Sequence, residues 1–485
     1  MSNEPIAEPR GESLGTRASR AAIWTFVGFG VSQLVRIGSN LTLTRLLFPE
    51  AFGLMAIAGA LLQGLMLFSD IGIGPSIIQN TKGYDRRFLD TAFTIQCARG
   101  VLLMLASTLA AWPFAMFYDE PRLFGIVVVV GATSLVQGLN STKVFTVGRN
   151  LDLKRLTVIE LVSQVLGAAA MIVWALVSPS YWALAAGALV SPLVKAVLSH
   201  VAIPGPRDRF DWDGPSAVAL AKFGKWIFIS TMMAFLAGQS DQLIFAKLIP
   251  IELLGVYSMA AMVAMMPPML FGVIEHRVVF PVYSAVHRDG RALAPAFKRV
   301  RAPFLVGSAV ICASLIAAGP ALVDFMYDER YREAGWMLQV LTVGTWFNLL
   351  EMTYGAVHLA TGRAQWVAAA SFAKVIGIVL GVMVGYHVAG FVGAVVGYSL
   401  SELARYAVLA TGGRVMKLPG LAQDLFFTGA TALTVLGGLW VGGWVEAAGH
   451  GPFWQTLAIL AFVAFCWSPG LIQILRSIER GLSDA

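Results

Sequence analysis

Fourteen apolar stretches, each long enough to cross a bilayer, follow one another through this 485-residue chain with short polar joints between them. A membrane span takes about 20 mostly apolar residues. The stretches fall at about 21–46, 51–79, 88–113, 122–146, 154–177, 181–202, 219–246, 252–283, 302–323, 334–360, 364–387, 389–411, 421–446 and 453–475. The eleventh and twelfth part only at Tyr386–Gly390. Hydrophobic residues are 57% of the chain and charged ones 13%, against about a quarter charged in soluble domains. Most of a surface that apolar faces lipid. The expected fold is an all-α polytopic membrane protein of about fourteen transmembrane helices.

The joints orient it. Lys and Arg collect in cytoplasmic loops. With the N-terminus inside, the inner segments hold Arg10, Arg17 and Arg20, then Lys82, Arg86 and Arg87, then Arg207, Arg209, Lys222 and Lys225. Arg288, Arg291, Lys298, Arg299 and Arg301 continue the series, and Arg476 and Arg480 end it. The outer segments hold only Arg45, Arg122, Lys247, Arg330 and Arg332. Both termini are therefore expected in the cytoplasm. The net charge of +7 follows from this topology, so no nucleic-acid partner is expected. Cys97, Cys312 and Cys466 lie in apolar runs, which suits neither a disulfide framework nor a metal site. Residues 1–19 are polar and the run after them is too long for a signal peptide. With no loop beyond about 20 residues, there is no room for a soluble catalytic domain, and no enzyme activity and no cofactor are expected.

The chain repeats itself. TRLLFPEAFGLMAIA at 44–58 matches AKLIPIELLGVYSMA at 246–260, with Arg45 and Lys247, Glu50 and Glu252, and Gly53 and Gly255 in register. FYDEPR at 117–122 matches MYDERY at 326–331. Six spans per repeat is an even number, so the halves share one orientation and are related by an axis along the membrane normal. The expected organisation is a cytoplasmic tail (1–19), an N-lobe of six spans (20–202), an inter-lobe loop (203–218), a C-lobe of six spans (219–413), two extra C-terminal spans (414–476) and a short cytoplasmic tail (477–485). Two parallel lobes around a central cavity is the natural consequence.

Charges at membrane depth are expensive and mark function or pairing. The cations are Arg36, Arg99, Lys143, Lys195, Arg277 and Lys374, and the acids include Asp70, Glu160, Asp241, Glu275, Glu351 and Glu402. Gln33, Arg36, Asn40 and Thr44 form one polar stripe on the first span. Asn348, Glu351, Gly355 and His358 do the same on the tenth. Prolines bend the second and eighth spans beside such charges. Lys143 and Lys195 have a simpler reading as snorkelling residues, and Glu402 as a partner of Arg405 one turn away. For the rest, two readings stand: a cavity lining, or structural ion pairs. A cationic cavity suits the diphosphate of a lipid-linked sugar, since Arg clamps phosphate oxygens bidentately and Lys adds a point charge. On this reading Arg36, Arg99, Lys195, Arg277 and Lys374 meet the diphosphate. Gln33, Asn40 and Asn348 line the cavity, and Asp70, Asp241, Glu275 and Glu351 take the coupling ion of a proton or sodium gradient.

RLLFPEAFGLMAI (45–57), LFSDIGIGPSIIQ (67–79), FYDEP (117–121) and RNLDLKRL (149–156) resemble the polysaccharide exporter branch of the multidrug/oligosaccharidyl-lipid/polysaccharide (MOP) flippase superfamily. The likeness is nearest to colanic-acid and exopolysaccharide exporters, strongest over 20–200 and slight after 413. It implies alternating access in the bacterial inner membrane. It also implies flipping of an undecaprenyl-diphosphate-linked oligosaccharide to the periplasmic leaflet, and a polysaccharide polymerase or export machinery as partner. In that branch, basic cavity residues meet the diphosphate, and Arg36 and Arg99 match that role. A drug/cation antiporter of the same superfamily and an integral-membrane polysaccharide polymerase are the alternatives. The short outer loops weigh against the polymerase.

Overall fold

The computed structural model describes residues 14–69, 73–79, 85–149 and 153–483, and every element among them is helical. In chain order they are α1 (Leu14–Leu46), α2 (Pro49–Phe68), α3 (Ile73–Gln79), α4 (Arg86–Phe117), α5 (Arg122–Gly138), α6 (Lys143–Arg149), α7 (Leu153–Val177), α8 (Trp182–Val201) and α9 (Gly214–Leu248). Then come α10 (Ile251–Ala264), α11 (Met266–Ile274), a π-helical turn (Glu275–Val279), α12 (Phe280–Arg288) and α13 (Leu293–Met326). A 3₁₀ turn (Glu329–Tyr331), α14 (Ala334–Ala360), α15 (Ala364–Val415), α16 (Gly420–Ala447) and α17 (Pro452–Ser483) complete the chain. The helices sit on the apolar stretches, and nine of them, among the described residues, are long and apolar enough to cross a membrane.

The exposed faces are those of a protein in lipid. Leu102, Leu109, Trp112 and Met116 stand out from α4, and Leu433, Leu436, Trp440 and Trp444 from α16. Water penalises that much exposed apolar area at about 25 cal/mol per Å². Hydrocarbon does not, which makes this an integral membrane protein.

α15 is 52 residues long, more than twice what a bilayer needs. It is not one rod. Ala389 and Gly390 leave helical geometry, with Gly390 at φ 58° and ψ −141°, a combination that L side chains avoid. The chain reverses there, and Gly381 and Gly385 of the first arm lie against Gly397 and Gly393 of the second. The sequence-predicted division at Tyr386–Gly390 is this hairpin.

Two compact units divide the chain, Met1–Gly255 and Val256–Ala485. In the first, α4 packs on α5, α7 on both α1 and α8, and α2 on α9. The described residues of the second span form α2 and α3, and the apolar run of the fourth is broken at residues 139–142, between α5 and α6. In the second unit, α13 is the hub, packed by α14, α16 and α17. Its core joins Phe271, Phe304, Leu305, Cys312, Leu349 and Trp346. The repeated segments occupy equivalent places. TRLLFPE and AKLIPIE are the joints α1–α2 and α9–α10, while FYDEPR and MYDERY follow the ends of α4 and α13. The repeat glycines Gly53 and Gly255 meet in the first unit, where a Cβ on either would strike the backbone at the other (Ile251 and Pro49).

Candidate functional site

Each unit gathers intramembrane charges of its own. In the first, a cavity of about 300 Å³ is lined by Arg99, Lys195, Gln96, Gln137, Asn140 and Phe145, among others. Arg99 comes from α4, which faces the end of α2. Its Nε donates to Ser69 Oγ at 2.9 Å and its Nη2 to Met66 O at 2.6 Å. These bonds close the C-terminal end of α2, where carbonyls lack helical partners and the helix dipole favours a cation. Lys195, from α8, reaches Glu160 of α7 at 3.0 Å, on the rim, where Glu160 is largely exposed. Gln96 caps α5 by donating to Gly138 O at 3.0 Å and Asn140 O at 2.9 Å. The cavity therefore has a positive rim, an amide floor and one aromatic wall. It suits an anionic or hydroxyl-rich ligand.

Gln33, Arg36 and Asn40 share the stripe on α1, and the same helix is fixed to α7 by Ser32 and Gln164. Ser32 Oγ donates to Gln164 Oε1 at 2.7 Å, and Gln164 Nε2 to Ser32 O at 2.9 Å. Asn40 is buried and Arg36 partly so. Asp241 is buried on α9. Asp70 lies outside the described residues.

The second unit holds a cluster of buried charges. Lys374, on the first arm of α15, donates to Glu402 on the second at 2.6 Å. Asn348 Nδ2 of α14 adds a bond to Glu402 at 3.3 Å. Arg405 meets Glu351 at 3.3 Å. Glu275, on the π turn, is buried in the same unit. Glu275 is buried while Arg277, two residues on and so on the opposite face, is exposed. Glu402 thus pairs across the hairpin with Lys374, and not with Arg405 along its own helix.

Two further sequence expectations change. Lys143 does not snorkel: it is 5% exposed, and its Nζ donates to His200 O and Ile203 O, each at 2.9 Å. Arg301 is not a loop charge. It is fully buried on α13, 2.6 Å from Asp424 of α16. Its Nε donates to Thr353 at 2.8 Å, and its guanidinium lies over the Tyr354 ring. Both sit at span ends, where a cation reads as snorkelling or as a topology signal. Asp208 escaped notice between Arg207 and Arg209. Its side chain is 3% exposed and lies beside the α5–α6 break.

An all-helical integral membrane fold with charges buried inside each unit defines the class. The family model "Polysaccharide biosynthesis protein" matches residues 42–336. The chain belongs to that family, and the resemblance read from its motifs is borne out. It is 21% identical to the lipopolysaccharide biosynthesis protein WzxC of Escherichia coli (strain K12) over 394 residues, 80% of this chain and 78% of that protein. Among solved structures it is similar to the lipid II flippase MurJ in an inward closed conformation. That likeness has a TM-score of 0.71 at 12% identity and covers 94% of this chain and 99% of that one. It is also similar to an inward-facing multidrug resistance MATE family transporter of the MOP superfamily, with a TM-score of 0.65 at 13% identity, over 82% of this chain and 98% of that one. These structural likenesses show that the chain shares the fold of those two proteins.

Proposed function

We propose that this protein is a flippase for lipid-linked oligosaccharides. It would carry undecaprenyl-diphosphate-linked repeat units from the cytoplasmic to the periplasmic leaflet of the bacterial inner membrane, feeding surface polysaccharide synthesis. The observation that carries this reading is the cavity of the first unit, where Arg99 and Lys195 stand with Gln96, Gln137 and Asn140 in a chain of the polysaccharide biosynthesis family. A diphosphate is drawn to the two cations, and sugar hydroxyls are met by the amides. The polyprenyl tail stays in lipid. Arg36 and Arg277 are held to serve the diphosphate as well, and Lys374 only on leaving Glu402. Fourteen spans in lobes of six and six, with two added, alternating access and cytoplasmic termini complete the proposal. Coupling to a proton or sodium gradient is assigned to the acids Asp70, Asp241, Glu275 and Glu351, the last two buried in the second unit. A polymerase or export machinery receives the product, and the chain itself performs no bond chemistry.

Deletion of the gene tests it. One surface glycan should disappear, and its lipid-linked repeat unit should accumulate. Complementation with Arg36→Ala or Arg99→Ala should restore membrane abundance without restoring export. Normal glycan export in the deletion strain, with altered drug tolerance, overturns the reading in favour of an antiporter. Flipping in proteoliposomes that ignores both proton and sodium gradients removes the coupling part.

A further inference from the structure

The floor of the first unit's cavity is the α5–α6 break, and other elements hold it in shape. Gln96 of α4 takes its carbonyls at Gly138 and Asn140. His200, near the end of α8, places Nε2 2.8 Å from Leu139 O. Ser141 N donates to Ser199 Oγ at 2.9 Å. A helix start is usually capped by the residue just before it, whose side chain accepts from the first free N–H groups. Thr142 precedes α6 and is of the right type, but its hydroxyl is turned away and donates to Asp208. Asp208 also accepts from Thr142 N at 3.2 Å and from Ser141 Oγ at 2.5 Å. The first N–H of α6, Lys143 N, donates to Ser141 Oγ at 3.3 Å, so the cap of α6 is held in place by a buried carboxylate 66 residues along the chain, on the loop between α8 and α9.

That loop is fastened in turn. Arg209 N donates to Asp90 Oδ1 at 3.0 Å and Asp213 N to Thr91 Oγ1 at 3.0 Å. Thr94 Oγ1 donates to Asp211 O at 2.9 Å and accepts from Asp211 N at 3.0 Å. The strap thus runs along α4, the helix that also brings Gln96 and Arg99 to the cavity, and ends at the N-cap of α9, Asp213. Any displacement of the strap withdraws the cap from α6.

We propose that Asp208 is a positioning residue for this cavity. By holding Ser141 and Thr142, and so the cap of α6, from the strap it fixes the break, and with it Gln137 and Asn140. The proposal rests on the reading of the cavity as the saccharide site. It adds a residue that touches no ligand and acts through the backbone of the break.

A native thiol reports on it. Cys97 Sγ lies 3.3 Å from Gly138 O and is 7% exposed, while Cys312 is fully buried in the other unit and Cys466 is exposed. Alkylation needs the thiolate, and so needs water at the break. In membranes carrying the full-length Cys466→Ser protein, N-ethylmaleimide labelling of Cys97 measures opening. Asp208→Ala should label about tenfold faster, as loss of a helix cap shifts local opening by that order. It should also lose glycan export at unchanged membrane abundance. Asp208→Asn keeps a capping oxygen and should return both readouts to within about threefold of the parent. Labelling of Asp208→Ala at the parent rate overturns the proposal. So does fast labelling with normal export, since the break would then be ordered without serving transport. Export that survives deletion of the whole gene, with Cys97 still exposed by Asp208→Ala, sinks the transport reading and leaves the capping role standing.

Discussion

At the scale of residues, what hydropathy reveals is that a charge is buried, and not what it faces. For Lys374 and Glu351 the sequence leaves a cavity lining and a structural ion pair both open, and Glu402 reads as a local partner of Arg405. Spacing of three residues on a helix makes such local pairs the default expectation. The hairpin geometry of α15 decides otherwise, because it brings Lys374 to within 2.6 Å of Glu402 and leaves Arg405 for Glu351. Pairing across helices depends on which arms touch, and no periodicity within one arm encodes that. The pairing has a measurable signature. Removing one member of a buried pair strands the other charge, at about 3–5 kcal/mol, whereas removing both together is far milder. Lys374→Met alone should therefore lower the thermal unfolding midpoint of the purified protein sharply. Adding Glu402→Gln to Lys374→Met should recover most of the loss. If the two changes simply add, Lys374 is held by something other than Glu402, and its assignment to the diphosphate gains ground.

At the scale of elements, the sequence was legible where a long average carries the signal. Each apolar stretch became helix, and the joint at Tyr386–Gly390 became a reversal. Illegible were the break at 139–142 and the π turn at Glu275–Val279, because a window of some twenty residues dilutes a fault of four or five. Gly390 is the exception, a single residue whose type reports its backbone. Its φ of 58° and ψ of −141° lie where only glycine is at ease, and the strain of any other residue there is about 1–3 kcal/mol. Gly390→Ala should reduce the detergent-stable fraction of the protein by that order. A substitution to Ala at Gly443 of α16, which has open space around it and no unusual backbone angle, should be neutral or slightly favourable. Equal effects at the two positions would mean that the reversal does not need glycine.

At the scale of the whole molecule, orientation is the property that sequence states most directly, because the insertion machinery reads the same loop charges. The structure fixes the joints between helices among the described residues. The joint between α7 and α8, at Ser178–Tyr181, carries no Lys or Arg, while the one between α8 and α9 carries Arg207 and Arg209. Alkaline phosphatase fused after Ser180 should be active, since it folds only outside the cytoplasm, and a fusion after Gly205 should be silent. Green fluorescent protein at the C-terminus should fluoresce, since an even number of crossings returns that end to the side of the first. A dark C-terminal fusion together with an active fusion after Ser180 would leave an odd count, and the fault would then lie in a helix other than the α15 hairpin. The two arms of that hairpin run antiparallel through one contact row, Gly381 on Gly397 and Gly385 on Gly393. They cross the bilayer both or neither, and either choice preserves the parity on which the proposed cytoplasmic C-terminus depends.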